Sequence, residues 1–221
     1  MSAEAPWSWR PSRGALEVAF VGRGPHAGAR KALEALEPDA PPLSWLRQIH
    51  SDRVVEATPG QSGDGDALLA REDPLALCVV TADCVPVILA GDGCIAAVHA
   101  GWRGLVAGVI PAALDRLGPV QDLEAWIGPA IGPCCYEVSD DVADQVVAAS
   151  DPGVRSQGPA GRPHLDLQAA AHHQLTAGGV GEIHVLERCT RCHPEDLWSY
   201  RREGPGAGRN LAFVWRRSHA R

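Results

Sequence analysis

The chain has 221 residues, 45% hydrophobic and 21% charged, which suits a soluble globular protein with a sizeable core. A net charge of -7 with a pI near 5.7 argues against a nonspecific nucleic-acid binder, which needs a positive field to collect phosphates. No stretch approaches the roughly 20 apolar residues of a membrane span, so neither a nucleic-acid nor a membrane partner is expected. The N-terminus, Met1 to Trp7, has neither a basic nor an apolar signal region. A cytoplasmic location follows as the expectation. Seven cysteines, an odd number, then read as thiols in a reducing compartment, with no disulfides.

In chain order, Leu16 to Gly22 reads as a first strand, followed by a Gly-rich turn and a helix from about Ala29 to Glu37 that Pro38 ends. A proline-rich joint leads to a strand over Leu43 to Ile49. Thr58 to Asp66 reads as a polar Gly-Asp loop. Strands are expected over Leu75 to Thr81 and Cys94 to Val98. Leu105 to Leu117 has helical spacing, with Pro111 marking a kink or an early turn. Ala125 to Ile127 is a short strand running into Gly128 to Pro133, whose glycines and prolines demand a fixed, turning backbone. Val138 to Ala149 reads as a helix, Pro152 to Pro163 as a surface loop, and Leu165 to Ala177 as a helix with Asp166 near its start. Ile183 to Leu186 and Leu211 to Trp215 are the last strands. Strands alternate with helices and no repeat occurs, so one α/β or α+β layered domain over residues 1–221 is expected.

Chemistry concentrates where apolar runs stop. His50 closes Gln48-Ile49-His50, Cys84 lies in Thr81-Ala82-Asp83-Cys84-Val85-Pro86-Val87, and His99 opens His99-Ala100-Gly101-Trp102-Arg103-Gly104. Two imidazoles and one thiolate that meet can hold a transition metal with one position open, the arrangement of a catalytic rather than a structural site. Their separations match no zinc finger. A cysteine nucleophile at Cys84 with His99 as its base is the competing reading. Arg103 offers a fork of donors for a phosphate or carboxylate, and the Trp102 indole a face for a flat ring. Gly104 is read as letting the following element start close to the site.

The remaining motifs read more weakly. Cys189-Thr190-Arg191-Cys192 has a C-x-x-C spacing, but no second C-x-x-C completes a four-cysteine zinc site, so a structural or substrate-loop role is expected. Cys134-Cys135 reads as packing in a rigid loop. Arg201, Arg202 and Arg209 are surface charges or a second anion clamp. His164, His172, His173 and His184 read as surface or capping histidines.

Taken in order, Thr81 to Pro86, His99 to Gly104, Ile127 to Val138, His164 to Leu167, Ser199 to Arg202 and Gly208 to Asn210 resemble the laccase-domain family. That family is also called multicopper polyphenol oxidase, purine nucleoside phosphorylase or peptidoglycan editing factor. The resemblance covers about Gln48 to Trp215. It implies a cytoplasmic enzyme with mixed β-sheets flanked by helices, similar to the cytotoxic-necrotizing-factor-like fold. It further implies that His50, Cys84 and His99 bind zinc, with copper as the alternative. The implied activity is phosphorolysis of adenosine, inosine, guanosine and methylthioadenosine, with adenosine deamination, so a purine nucleoside and phosphate are the expected partners. On this reading Cys84, His99 and Arg103 are catalytic, and Gln48, Trp102, Arg103 and Arg201 bind substrate.

The pattern departs in a shortened N-terminal segment, 1–42, where Val21-Gly22-Arg23-Gly24 stands in place of a longer Thr-Arg-x-Gly-Gly-Val-Ser type motif. Ser51 stands where glycine is commoner. A cysteine hydrolase, a peptidoglycan-precursor editing factor and a copper polyphenol oxidase remain as alternatives. The last is disfavoured because three ligands make at most one mononuclear site.

Overall fold

The computed structural model describes residues 7–24, 28–71, 74–119 and 122–217. The segment read for a signal, residues 1–6, and part of the Gly-rich turn, residues 25–27, lie outside the described residues. In chain order the elements are β1 (Ser8–Trp9), β2 (Leu16–Val21), α1 (Ala29–Leu36), β3 (Leu43–Arg47), β4 (Val54–Glu56), β5 (Gly60–Asp64), β6 (Ala67–Arg71) and β7 (Ala76–Thr81). There follow β8 (Val85–Gly91), β9 (Cys94–Ala100), α2 (Trp102–Ala107), α3 (Val109–Leu117), β10 (Glu124–Ile127), α4 (Asp140–Ala148) and β11 (Arg155–Gln157). The last are β12 (Pro163–Leu165), α5 (Leu167–Ala177), β13 (Glu182–Val185), α6 (Tyr200–Glu203) and β14 (Asn210–Arg216).

Two mixed six-stranded sheets carry the fold, ordered β1-β2-β14-β7-β3-β5 and β13-β10-β8-β9-β6-β4. Period-2 alternation explains how they stack. Val18 and Phe20 of β2, Leu77 and Val79 of β7, Ile88 of β8, Ile95 and Ala97 of β9 and Trp126 of β10 share one apolar cluster between the sheets. The opposite faces pack helices. Val85, Val87, Leu89, Ala96 and Val98 meet α2 to α5, while Ala19, Val21, Cys78 and Phe213 meet Ala32 and Leu33 of α1. The order of layers is therefore helix, sheet, sheet, helices. Strands covered on both faces have no reason to alternate in polarity, which is why they read as unbroken apolar runs.

Several expectations need correction. The stretch read as a polar loop contains β5, an edge strand parallel to β3, with the Ser44 and Ser62 hydroxyls 2.8 Å apart. An edge strand is half solvated, so it carries no apolar signature. The surface loop over 152–163 likewise holds β11, antiparallel to β12. The helix expected over 105–117 is two helices, broken at Gly108, whose φ of 86° is left-handed. Pro111 sits in the first turn of α3, where its missing N–H would have no helical partner. Asp166 caps α5 by accepting from the Ala169 N–H at 2.9 Å.

Topology aims many chain crossings at one end of the sandwich. β3, β5 and β7 run parallel, and each is followed by a strand of the other sheet: β4, β6 and β8. Those three connections carry His50, Asp66 and Cys84. β9 is antiparallel to both β6 and β8, so it ends where they begin. β10 and β13 end there too, and β14 starts there.

Candidate active site

His99 has the same parity as Ile95 and Ala97, so its side chain points between the sheets at the rim, 3% exposed. Its Nδ1 lies 2.8 Å from Asp66 Oδ1, and its backbone N–H donates to the Asp66 carbonyl at 2.7 Å. The Asp66 carboxylate also accepts from the N–H groups of Ile49, His50 and Ser51 at 3.3, 3.0 and 2.6 Å and from the Ser51 hydroxyl at 2.8 Å. This one buried acid holds the turn after β3 against the end of β9. The turn places His50 in the left-handed region, at φ 59°, a conformation that the surrounding bonds must stabilise.

Ligand atoms of His50, Cys84 and His99 all lie within 4.8 Å of one another. The two imidazoles meet edge to face with centroids 4.9 Å apart. Burial falls from His99 through half-buried Cys84 to exposed His50, so the group opens to solvent on one side. Gly101 makes the approach possible, because a Cβ there would stand 2.9 Å from Cys84 Sγ and 3.3 Å from His50 Cδ2. At Gly104 the corresponding nearest contacts are 3.4 Å, so the glycine that the site requires is Gly101.

Electrostatics reinforce the geometry. Burial opposes ionisation of Cys84, but bonds from His50 and His99 outweigh it and bring the thiol down to about 6. Burial also opposes charge on His99, yet Asp66 and Cys84 raise it to about 9. Asp66 is brought to about 2 despite desolvation, by His99 and by the Ser51 N–H and hydroxyl. Asp66 on Nδ1 leaves His99 Nε2 for a ligand, the carboxylate–histidine pairing that orients metal-binding imidazoles. Two nitrogens and a thiolate ready to ionise fit a zinc or copper ion with a free position.

The other expected site residues distribute unevenly. Arg103 is exposed on α2, its guanidinium 4.4 Å from the Trp102 ring centroid. Arg201 is exposed as well, 5.2 Å from the Tyr136 ring and donating to the Glu137 carbonyl at 2.9 Å. Gln48 does not offer a free amide. Its nitrogen donates to the Val80 carbonyl and its oxygen accepts the Val80 N–H, both at 2.8 Å, so it bridges the ends of β3 and β7.

Three residues of the site escaped the sequence reading. Asp66 lay inside the supposed polar loop. Tyr136 is half-buried within electrostatic reach of Cys84, Asp83, Arg103 and Arg201, and burial first, then Cys84, pushes its hydroxyl up to about 12. Asp83, at φ 91°, accepts from the Thr190 hydroxyl and the Arg201 N–H, each at 2.6 Å. Its carbonyl accepts the Ile131 N–H at 3.0 Å. The only available signal for Asp83 was its place one residue before Cys84. His164 also departs from its surface reading: it is 8% exposed, with Nδ1 2.6 Å from the Pro133 carbonyl oxygen.

The model of the multi-copper polyphenol oxidoreductase laccase family matches residues 26–217. The chain belongs to this laccase-domain family. Among similar laccase-domain relatives, the purine nucleoside phosphorylase of Pseudomonas aeruginosa is 40% identical over 179 residues, covering 78% of this chain and 73% of its own. That of Streptomyces coelicolor is 38% identical over 199 residues, covering 86% and 81%. Among solved structures, YlmD from Geobacillus stearothermophilus matches with a TM-score of 0.81 at 28% identity, over 94% of each chain. A Neisseria meningitidis protein of the DUF152 family matches with a TM-score of 0.81 at 27% identity, over 96% of this laccase-domain chain and 99% of its own. The layered α/β architecture is thus that of the family.

Proposed function

We propose that the chain is a metal-dependent purine nucleoside phosphorylase acting on adenosine, inosine, guanosine and methylthioadenosine, with an accompanying adenosine deaminase activity. The observation that carries this reading is the open His50, Cys84 and His99 group at the strand ends. Relatives named purine nucleoside phosphorylase, up to 42% identical, support the substrate class. No helix of the described residues is long and apolar enough to cross a membrane.

Zinc, or copper as the alternative, would supply Lewis acidity at this group, the property needed to activate water toward the amino-bearing carbon of adenine. The protein side chains do the rest. Asp66 keeps the proton of His99 on Nδ1 and fixes the ring. Arg103 presents a charged fork to the phosphate, and the part of the half-buried Trp102 indole left uncovered by Arg103 borders the purine. Tyr136 retains its phenolic proton near neutral pH and can donate a hydrogen bond toward substrate beside Cys84. In phosphorolysis a phosphate oxygen bonds to the ribose C1′ as the C1′–N9 bond breaks, and the base departs with a proton.

The test is incubation of adenosine with metal-loaded protein, with and without phosphate. Adenine or hypoxanthine and ribose 1-phosphate form only with phosphate, and Cys84→Ala abolishes both. Absence of phosphate-dependent cleavage in fully loaded protein overturns the reading. A second reading, a cysteine hydrolase, is favoured by the acidified Cys84 thiol beside His99. It predicts activity that survives chelators and is abolished by iodoacetamide.

A further inference from the structure

The C-x-x-C segment does find partners, though none with its own spacing. The sulfurs of Cys134, Cys135, Cys189 and Cys192 all lie within 4.8 Å of one another, with Cys134 to Cys192 at 3.7 Å and Cys135 to Cys192 at 3.4 Å. The loop that holds Cys134-Cys135 thus packs its sulfurs against those of a second loop. Four sulfurs around a tetrahedral zinc, each about 2.3 Å from the ion, stand about 3.8 Å apart. All four are free thiols, and the Gly132 N–H points at Cys189 Sγ from 3.3 Å, an outer contact of the kind that orients a metal-bound thiolate.

We propose that these four cysteines form a second metal site, a closed tetrathiolate that takes zinc and is structural rather than catalytic. Four protein ligands leave no position for substrate, and thiolates select a soft or borderline ion over magnesium or calcium. The site joins two loops that leave the sheet side by side, since β10 and β13 are parallel neighbours. One follows β10 and the other follows β13, and apart from the sulfurs they are tied by a bridge between Ala130 and Cys189 and by the Thr190 N–H donating to the Ala130 carbonyl at 2.9 Å. Both loops serve the first site: Thr190 holds Asp83, and Tyr136 directly follows Cys135. Closing the sulfurs on an ion would fix the frame against which Cys84, Tyr136 and Arg201 are placed.

Cys84→Ala separates the two sites, because it leaves no sulfur in the first. Full-length Cys84→Ala protein, purified reduced, is expected to retain one equivalent of zinc, and its cobalt-substituted form to show intense sulfur-to-cobalt charge-transfer bands. Those bands vanish when Cys189→Ser and Cys192→Ser are added. Should that variant not fold, Cys134→Ser alone in the Cys84→Ala protein, at an exposed position, weakens the bands and speeds zinc release to a chelator by more than about tenfold, since a direct ligand should matter at least as much as the outer-shell partners whose loss costs about 10-fold or more. Folded Cys84→Ala protein without these bands, or an intact mass showing a disulfide among the four in place of metal, overturns the proposal. The measurement involves no nucleoside, so it stands or falls apart from the phosphorylase reading.

Discussion

Asp66 and His99 form the joint on which the site turns: they are linked twice, by the carboxylate to Nδ1 at 2.8 Å and by the His99 N–H to the Asp66 carbonyl at 2.7 Å. The same carboxylate collects three consecutive N–H groups at 49, 50 and 51. One residue thus sets the orientation of one imidazole and the backbone that carries the other.

Asp66→Asn is therefore expected to weaken metal binding by about 10- to 100-fold, the usual range for loss of a carboxylate behind a ligating histidine. An amide cannot accept from as many donors, and it removes the charge that holds the His99 proton. Competition with a chromogenic chelator measures the change. Unaltered affinity in the folded variant would show that His99 is oriented by something else.

Asp66 also predicts an acid limb of stability. Its carboxyl is held near 2 against an ordinary 3.8, so the folded state favours the ionised form. That contribution, about 2 kcal/mol, is fully present above roughly pH 4 and is lost as the pH falls toward 2. Urea unfolding of metal-free protein from pH 5 down to pH 2 should show this loss, and Asp66→Asn should flatten it.

Gly101→Ala should damage the site from outside the ligand set. Its Cβ would lie 2.9 Å from Cys84 Sγ, so the sulfur or α2 must move by several tenths of an ångström. Metal occupancy is expected to fall sharply, while overfilling a packed position costs about 1–3 kcal/mol of stability. Gly104→Ala, with its nearest contacts at 3.4 Å, should be far milder. Equal effects would contradict the assigned role of Gly101.

Arg103→Ala should raise the KM for phosphate by about 10-fold or more, as expected for loss of a charge-assisted pair worth about 1.5–3 kcal/mol. Zinc content should not change, because Arg103 is exposed and ligates nothing. Arg103→Lys should recover only part of the loss, since an ammonium lacks the planar fork. A normal phosphate KM in Arg103→Ala would move the anion site elsewhere, with Arg201 the next charge to test.

The apolar runs at 16–22, 43–49, 75–81 and 94–98 and the helical spacing over 105–117 were enough to find strands and helices there, because burial selects apolar side chains locally, as unbroken runs in strands covered on both faces and as a stripe on a helix. The ligand types and their position at the ends of those runs could be read in the same way. What a linear chain cannot display is which ends coincide. Three parallel strands of one sheet, each handing the chain to the other sheet, bring residues 50, 66 and 84 to the rim beside residue 99. Asp66 looked like loop polarity because its partners are backbone N–H groups 15 to 17 residues away. The gathering of Cys134 and Cys135 with Cys189 and Cys192 depends likewise on β10 and β13 lying parallel, a pairing made by long-range hydrogen bonds that leaves no mark on local spacing.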